Sequence, residues 1–228
     1  MSGKESDGPR NAGRRELLKR VGAAGATAAI GTTELTRSAN AADPQSAHAP
    51  VREALETLTA AESDTLEALV SRLIPSDDNG PGAAEARAAH YIDRALAGPL
   101  ASSRQAYTSG LDAVNVYAKS SRGATFAQLG AADQDAVLTA MEKNTATGFN
   151  PNSASFFNLL RTHTIQGTFC DPYYGGNANF VGWDLIGYPG VRLAVTADDQ
   201  RMSKSPKPNR KSAYDDGMFA KRGGGHGH

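Results

Sequence analysis

A chain of 228 residues with 24 basic and 24 acidic side chains carries no charge excess, which argues against a nucleic-acid-binding surface. Its one cysteine, Cys170, excludes an iron–sulfur cluster, a CxxCH haem attachment and a cysteine zinc site.

Residues 1–41 read as an export leader. Lys4, Arg10, Arg14, Arg15, Lys19 and Arg20 form a positive n-region, and the adjacent pair Arg14-Arg15 is a twin-arginine signal. That signal addresses a protein to the route carrying already folded cargo. Residues 21–33 are a mildly apolar h-region, too short to span a bilayer of roughly 30 Å, which takes about 20 residues. Ala39-Asn40-Ala41 is an A-x-A site, so cleavage is expected before Ala42. The 187 residues that remain hold 17 basic and 20 acidic side chains. They suit one domain, with residues 42–54 as a polar linker, 55–195 as a helical domain and 196–228 as a flexible tail. No other stretch approaches transmembrane length, so membrane association is expected only through a partner, with the protein residing in the periplasm.

The first predicted helix opens at Thr59-Ala60-Ala61-Glu62, a capping box in which cap and third residue satisfy each other's orphan N–H groups. Leu66, Leu69, Val70 and Leu73 follow on one apolar stripe. Pro75 ends it, because the residue before proline is pushed out of the helical region. A second helix is expected over 83–97, stopped by Gly98-Pro99, and a third over 100–120, broken by Gly123. A fourth is expected over 132–145 with Val137, Leu138 and Met141 inward, and a fifth, capped by Ser153, carries Phe156, Phe157 and Leu160. No β-alternation appears. The expected fold is an all-α helical bundle.

From 167 to 190 the pattern changes to GTFCDPYYGGNANFVGWDLIGYPG. A loop this long is uncommon in a compact domain and is usually functional or disordered; its aromatic content argues for order.

The other chemistry-bearing patterns are weak. Gly80-Pro81-Gly82-Ala83-Ala84-Glu85 lacks the third glycine of a dinucleotide fingerprint and follows a helix instead of a strand. Asp77, Asn79 and Gly82 match calcium-loop positions, but Ala88 stands where the bidentate glutamate is needed. His90 and His163 belong to no spaced metal-ligand pair. A His163–Cys170 nucleophilic pair lacks an evident oxyanion site, so His163 is expected to make a structural hydrogen bond near the end of the fifth helix. His226 and His228 fall in the tail. No catalytic residue, metal site or cofactor site is assigned to this chain. A folded-cargo leader without a cofactor site suggests that the leader serves a cofactor-bearing partner.

Phe169-Cys170-Asp171-Pro172-Tyr173-Tyr174-Gly175-Gly176-Asn177, then Gly182-Trp183-Asp184-Leu185-Ile186-Gly187-Tyr188-Pro189-Gly190, closely resembles the signature of the gluconate 2-dehydrogenase subunit 3 family. The likeness extends upstream through Leu73-Ile74-Pro75, Gly80-Pro81-Gly82 and Tyr91-Ile92-Asp93, covering about 55–192. The family comprises small subunits of bacterial membrane-bound, FAD-dependent sugar and sugar-acid dehydrogenases. The resemblance implies a large flavoprotein that binds FAD and oxidises the sugar, commonly a cytochrome c subunit, and a small subunit that carries the leader for export and stabilises the large one.

On that reading the partner-binding residues are Cys170, Asp171, Pro172, Tyr173, Tyr174, Gly175, Gly176, Asn177, Trp183, Gly187, Tyr188, Pro189 and Gly190. Tyr and Trp are the types that anchor interfaces, and some of these rings are expected to pack inward. Cys170 is expected either as a buried thiol or as half of an intersubunit disulfide. The alternative is an independent periplasmic binding protein or enzyme that uses the 167–190 loop as a small-molecule site.

Overall fold

The computed structural model describes residues 54–203 and 206–220. Arg14, Arg15, Ala39 and Ala41, with residues 1–41 and nearly all of the linker, lie outside the described residues, as do His226 and His228.

Seven α-helices and several 3-10 turns make up the described chain, with no strand among the described residues. They are α1 (Ala60–Leu73), α2 (Ala88–Leu96), α3 (Arg104–Arg122), α4 (Ala131–Glu142), α5 (Ser153–Phe169), α6 (Val181–Leu185) and α7 (Gly217–Ala220). The all-α expectation holds.

The α1 capping box forms as expected, with Glu62 N donating to Thr59 Oγ1 and Thr59 N donating to the Glu62 carboxylate. That carboxylate also receives a two-pronged contact from the Arg104 guanidinium, both bonds at 3.1 Å, which ties α1 to the start of α3. Burial pushes the Glu62 pKa upward, but the hydrogen bonds from Arg104 and Thr59 outweigh it and hold the group at about 2.

The second helix begins later than its pattern suggests. Glu85 accepts from Gly82 N and Ser76 Oγ, and Ala83 N donates to Ile74 O, so residues 82–87 fold first as a turn on the end of α1. Arg87, in the left-handed region at φ 58°, separates that turn from α2. Gly82 is required there, because a Cβ would strike the backbone of Ile74 and Pro75. Inside α2, Asp93 is buried and its carboxylate accepts from three successive N–H groups, Glu56 at 2.7 Å, Thr57 at 3.0 Å and Leu58 at 2.7 Å. This offsets the burial of the charge and fixes where the chain enters the bundle.

The third helix starts after a 3-10 turn at Ala101–Ser103 and ends on Gly123 in the left-handed conformation, at φ 86°. The fifth is capped by Asn152, not Ser153: Asn152 Oδ1 accepts from Ser155 N at 2.9 Å, while the buried Ser153 hydroxyl donates to Met141 O. Asn152 has the extended backbone that a cap needs, and Ser153 is already in the first turn.

The predicted apolar stripe of α1 forms the core together with apolar residues of the later helices. Leu66, Leu69 and Val70 of α1, Leu111 and Val114 of α3, Met141 of α4 and Leu160 of α5 are all but inaccessible to solvent. Each such side chain contributes about 1.5–3 kcal/mol on burial. Helix α5 packs most extensively on α2 and α4, and the Phe156 ring covers Gly110 of α3, where a Cβ would overlap it. His163 lies in mid-helix, six residues short of the end of α5. The structural hydrogen bond expected of it forms, 3.0 Å from Nδ1 to the buried Tyr107 hydroxyl. Burial lowers the His163 pKa and raises that of Tyr107.

Candidate partner-binding surface

Helix α5 delivers its C-terminus to the signature segment, and that segment folds by capping it. Cys170 N donates to Gln166 O, Asn177 N to Gly167 O at 2.8 Å, and the Trp183 indole N–H to Phe169 O at 2.9 Å. Carbonyls that a helix end leaves without partners are thereby satisfied from the loop.

Asn177 is central to this arrangement and fully buried. Its Nδ2 donates to Cys170 O at 2.8 Å, and its Oδ1 accepts from Gly182 N at 2.8 Å, opening α6. Its backbone is left-handed, at φ 43°, which asparagine tolerates better than most residues. Gly176 and Gly182 pass so close to α5 that a Cβ on either would collide with Gly167 O or Thr168 O. The segment is therefore no irregular loop. It contains 3-10 turns at Pro172–Tyr174 and Ala178–Phe180, then α6.

The signature residues divide by the side they face. Asn177 and Trp183 point inward, with Trp183 only 6% exposed. Tyr188 lies edge-on against Trp183, with centroids 4.8 Å apart, yet is 40% exposed. Tyr173 and Tyr174 are 49% and 46% exposed, and Leu185 and Ile186 also reach solvent. Asp171 caps the 172–174 turn by accepting from Tyr173 N, Pro172 supplies its first position, and Gly175 closes it at φ 92°. Gly187 has a left-handed backbone with open space around it, and Gly190 lies against the Asn209 side chain. Pro189 O accepts from Asn209 N at 2.9 Å.

Cys170 is half-buried, its thiol 3.7 Å from Gly167 O. Burial pushes its pKa up to about 11, so the thiol stays protonated at neutral pH. His163 is engaged by Tyr107, and no described bond joins it to Cys170. A thiol nucleophile needs thiolate character, and burial of Cys170 works against it.

A groove of about 790 Å³ runs beside the turn, between the end of α2 and the end of α5, lined by Tyr91, Pro99, Ile165, Phe169, Cys170 and Tyr173 among others. Among the described residues no group of three or more His, Cys, Asp or Glu is placed to hold a metal. No described helix is long and apolar enough to cross a membrane.

The sequence reads 196–228 as a flexible tail, and in the described part of that stretch several residues lie in contact with the signature segment. Asn209 donates to Pro189 O and Val191 O, Arg210 pairs with Asp184, and Ser212 and Ala213 donate to the Asp171 carboxylate. Tyr214 stacks on Tyr173 with centroids 3.7 Å apart. A readable signal stood in the sequence, because Ser212-Ala213-Tyr214-Asp215 is a capping box and forms as one. Asp93 and Arg104 were not singled out either, since a lone charged residue in a helical pattern does not announce a distant backbone partner.

Fold and surface together define an all-α domain that presents an ordered aromatic segment beside the end of its fifth helix. The model of a family described as gluconate 2-dehydrogenase subunit 3 matches residues 60–190, more than half of the chain. The chain belongs to that family, and membership carries association with a larger dehydrogenase complex. No curated protein and no solved structure matches the chain.

Proposed function

We propose that this chain is the non-catalytic small subunit of a periplasmic, FAD-dependent sugar or sugar-acid dehydrogenase complex. It escorts the flavoprotein subunit through twin-arginine export and stabilises it by docking through the 170–190 segment. FAD resides in the large subunit, a cytochrome c subunit takes the electrons, and the complex meets the inner membrane through these partners.

The observation that carries this reading is the combination of a rigid base and exposed rings. Asn177 and Trp183 lock the segment onto α5, while Tyr173, Tyr174 and Tyr188 remain 40–49% exposed on it. Pre-organised aromatic side chains lose little entropy on binding, so they suit a protein interface. A partner that binds only the folded subunit shifts its stability by mass action.

The escort role is tested in the pair Arg14→Lys and Arg15→Lys. Lysine does not reproduce a guanidinium that a receptor reads through several donors. The double variant leaves both this subunit and the flavoprotein in the cytoplasmic fraction. A flavoprotein that still reaches the periplasm in full ends the escort reading.

The groove beside Tyr173 favours a second reading, since its volume of about 790 Å³ falls in the range of small-molecule sites. Binding of a sugar acid to the purified chain alone, seen by calorimetry and lost in Tyr173→Ala, would support that reading over docking.

A further inference from the structure

The family match ends at residue 190, yet the chain returns to the signature surface afterwards. Asp171 accepts from Ser212 Oγ at 2.6 Å and from Ala213 N at 2.8 Å. Next to it the Tyr214 ring lies flat on Tyr173, inclined by 18°, and edge-on to Tyr174, whose hydroxyl meets that of Tyr214 at 2.7 Å. Asn209 anchors the near end of this stretch on Pro189 and Val191. One carboxylate and two tyrosines of the signature are thus matched by a Ser-Ala-Tyr sequence, with side-chain, backbone and ring complementarity at successive positions.

The same stretch is weakly held. None of the described residues from 191 to 219 is buried, whereas the signature's own Asn177 and Trp183 are. Segments with few buried apolar contacts open at a small fraction of the global unfolding free energy. A specific fit combined with shallow burial is what a displaceable occupant requires.

We propose that Asp171, Tyr173 and Tyr174 form a peptide-recognition site, and that residues 209–216 of this chain are its resident occupant, a strap that lies on part of the surface until the dehydrogenase partner displaces it. The displacement rests on the docking role proposed above. The strap lowers the apparent affinity for any partner by the fraction of time the site is closed. The partner segment that replaces it offers a hydroxyl and an N–H donor to Asp171 and an aromatic ring to Tyr173.

Hydrogen exchange on the full-length chain, free and in the complex isolated from its host, tests this. In the free chain, Tyr214→Ala accelerates exchange at the amides of 209–216 about fivefold, the scale of one lost aromatic pair, and leaves α1–α5 unchanged. If α5 loosens equally, the segment is part of the core and the strap is refuted. In the complex, residues 171–190 exchange more slowly and 209–216 faster than in the free chain. Slower exchange at 171–190 with unchanged or slower exchange at 209–216 refutes the strap and leaves docking intact. No change at 171–190 refutes docking at this surface and the displacement with it.

Discussion

Asn177 shows how much one side chain settles. Its amide bridges the end of α5 to the start of α6 with both its donor and its acceptor used, and it has no exposure to solvent. Asn177→Ala leaves Cys170 O and Gly182 N without these partners in a buried setting, at a cost of about 2–3 kcal/mol. Trp183, the single tryptophan, reports the outcome, because its emission shifts to the red at a lower urea concentration in the variant. An unchanged midpoint would mean that the loop holds without its asparagine.

Glu62 makes the corresponding case for charge. Its folded pKa of about 2 lies below the ordinary 4.5, so the unfolded chain binds the proton more readily. The stabilisation is fully present above about pH 4.5 and is lost as pH falls towards 2. Glu62→Gln lowers stability at neutral pH by about 1–2 kcal/mol, a partly buried bidentate pair being worth more than an exposed one. The same change flattens the dependence of the urea midpoint on pH across that window. Equal slopes in both proteins would show that Arg104 does not hold the carboxylate ionised.

Five of the helices were legible in the sequence, the first three with a stop signal behind each and the fourth and fifth from their inward apolar residues. Pro75, Gly98 and Gly123 punctuate the chain where they should. What was not legible was local competition at helix starts. The Ala-rich run at 83–87 looks helical, but the Glu85 carboxylate captures Gly82 N and Ser76 and bends it into a turn. The glycines of the signature were legible as turns and not as close approaches, since contact with α5 depends on the tertiary path. Gly176→Ala drives a methyl group into Gly167 O and costs about 1–3 kcal/mol by overpacking. Gly98→Ala, with open space around it, changes stability by no more than about 0.5 kcal/mol. Thermal unfolding of the two variants side by side separates them, and equal melting temperatures would contradict the packing of the segment on α5.

For the whole molecule, the signature motif carried the family, while the return of 209–216 onto the signature segment was hidden by a polar composition. Tail-like composition predicts little burial, and little burial is found; it does not preclude specific contacts such as those made to Asp171.

The central claim is that this domain works as a docked subunit whose redox cofactor is held by its partner. It is tested most directly by isolating the affinity-tagged full-length chain from its host under native conditions and measuring the FAD that co-elutes. The account predicts a large flavoprotein in about equal amount, with FAD released on its denaturation, and a colourless subunit without dehydrogenase activity once the two are separated. A chain that elutes alone, or a flavin that stays with the separated subunit, would contradict it.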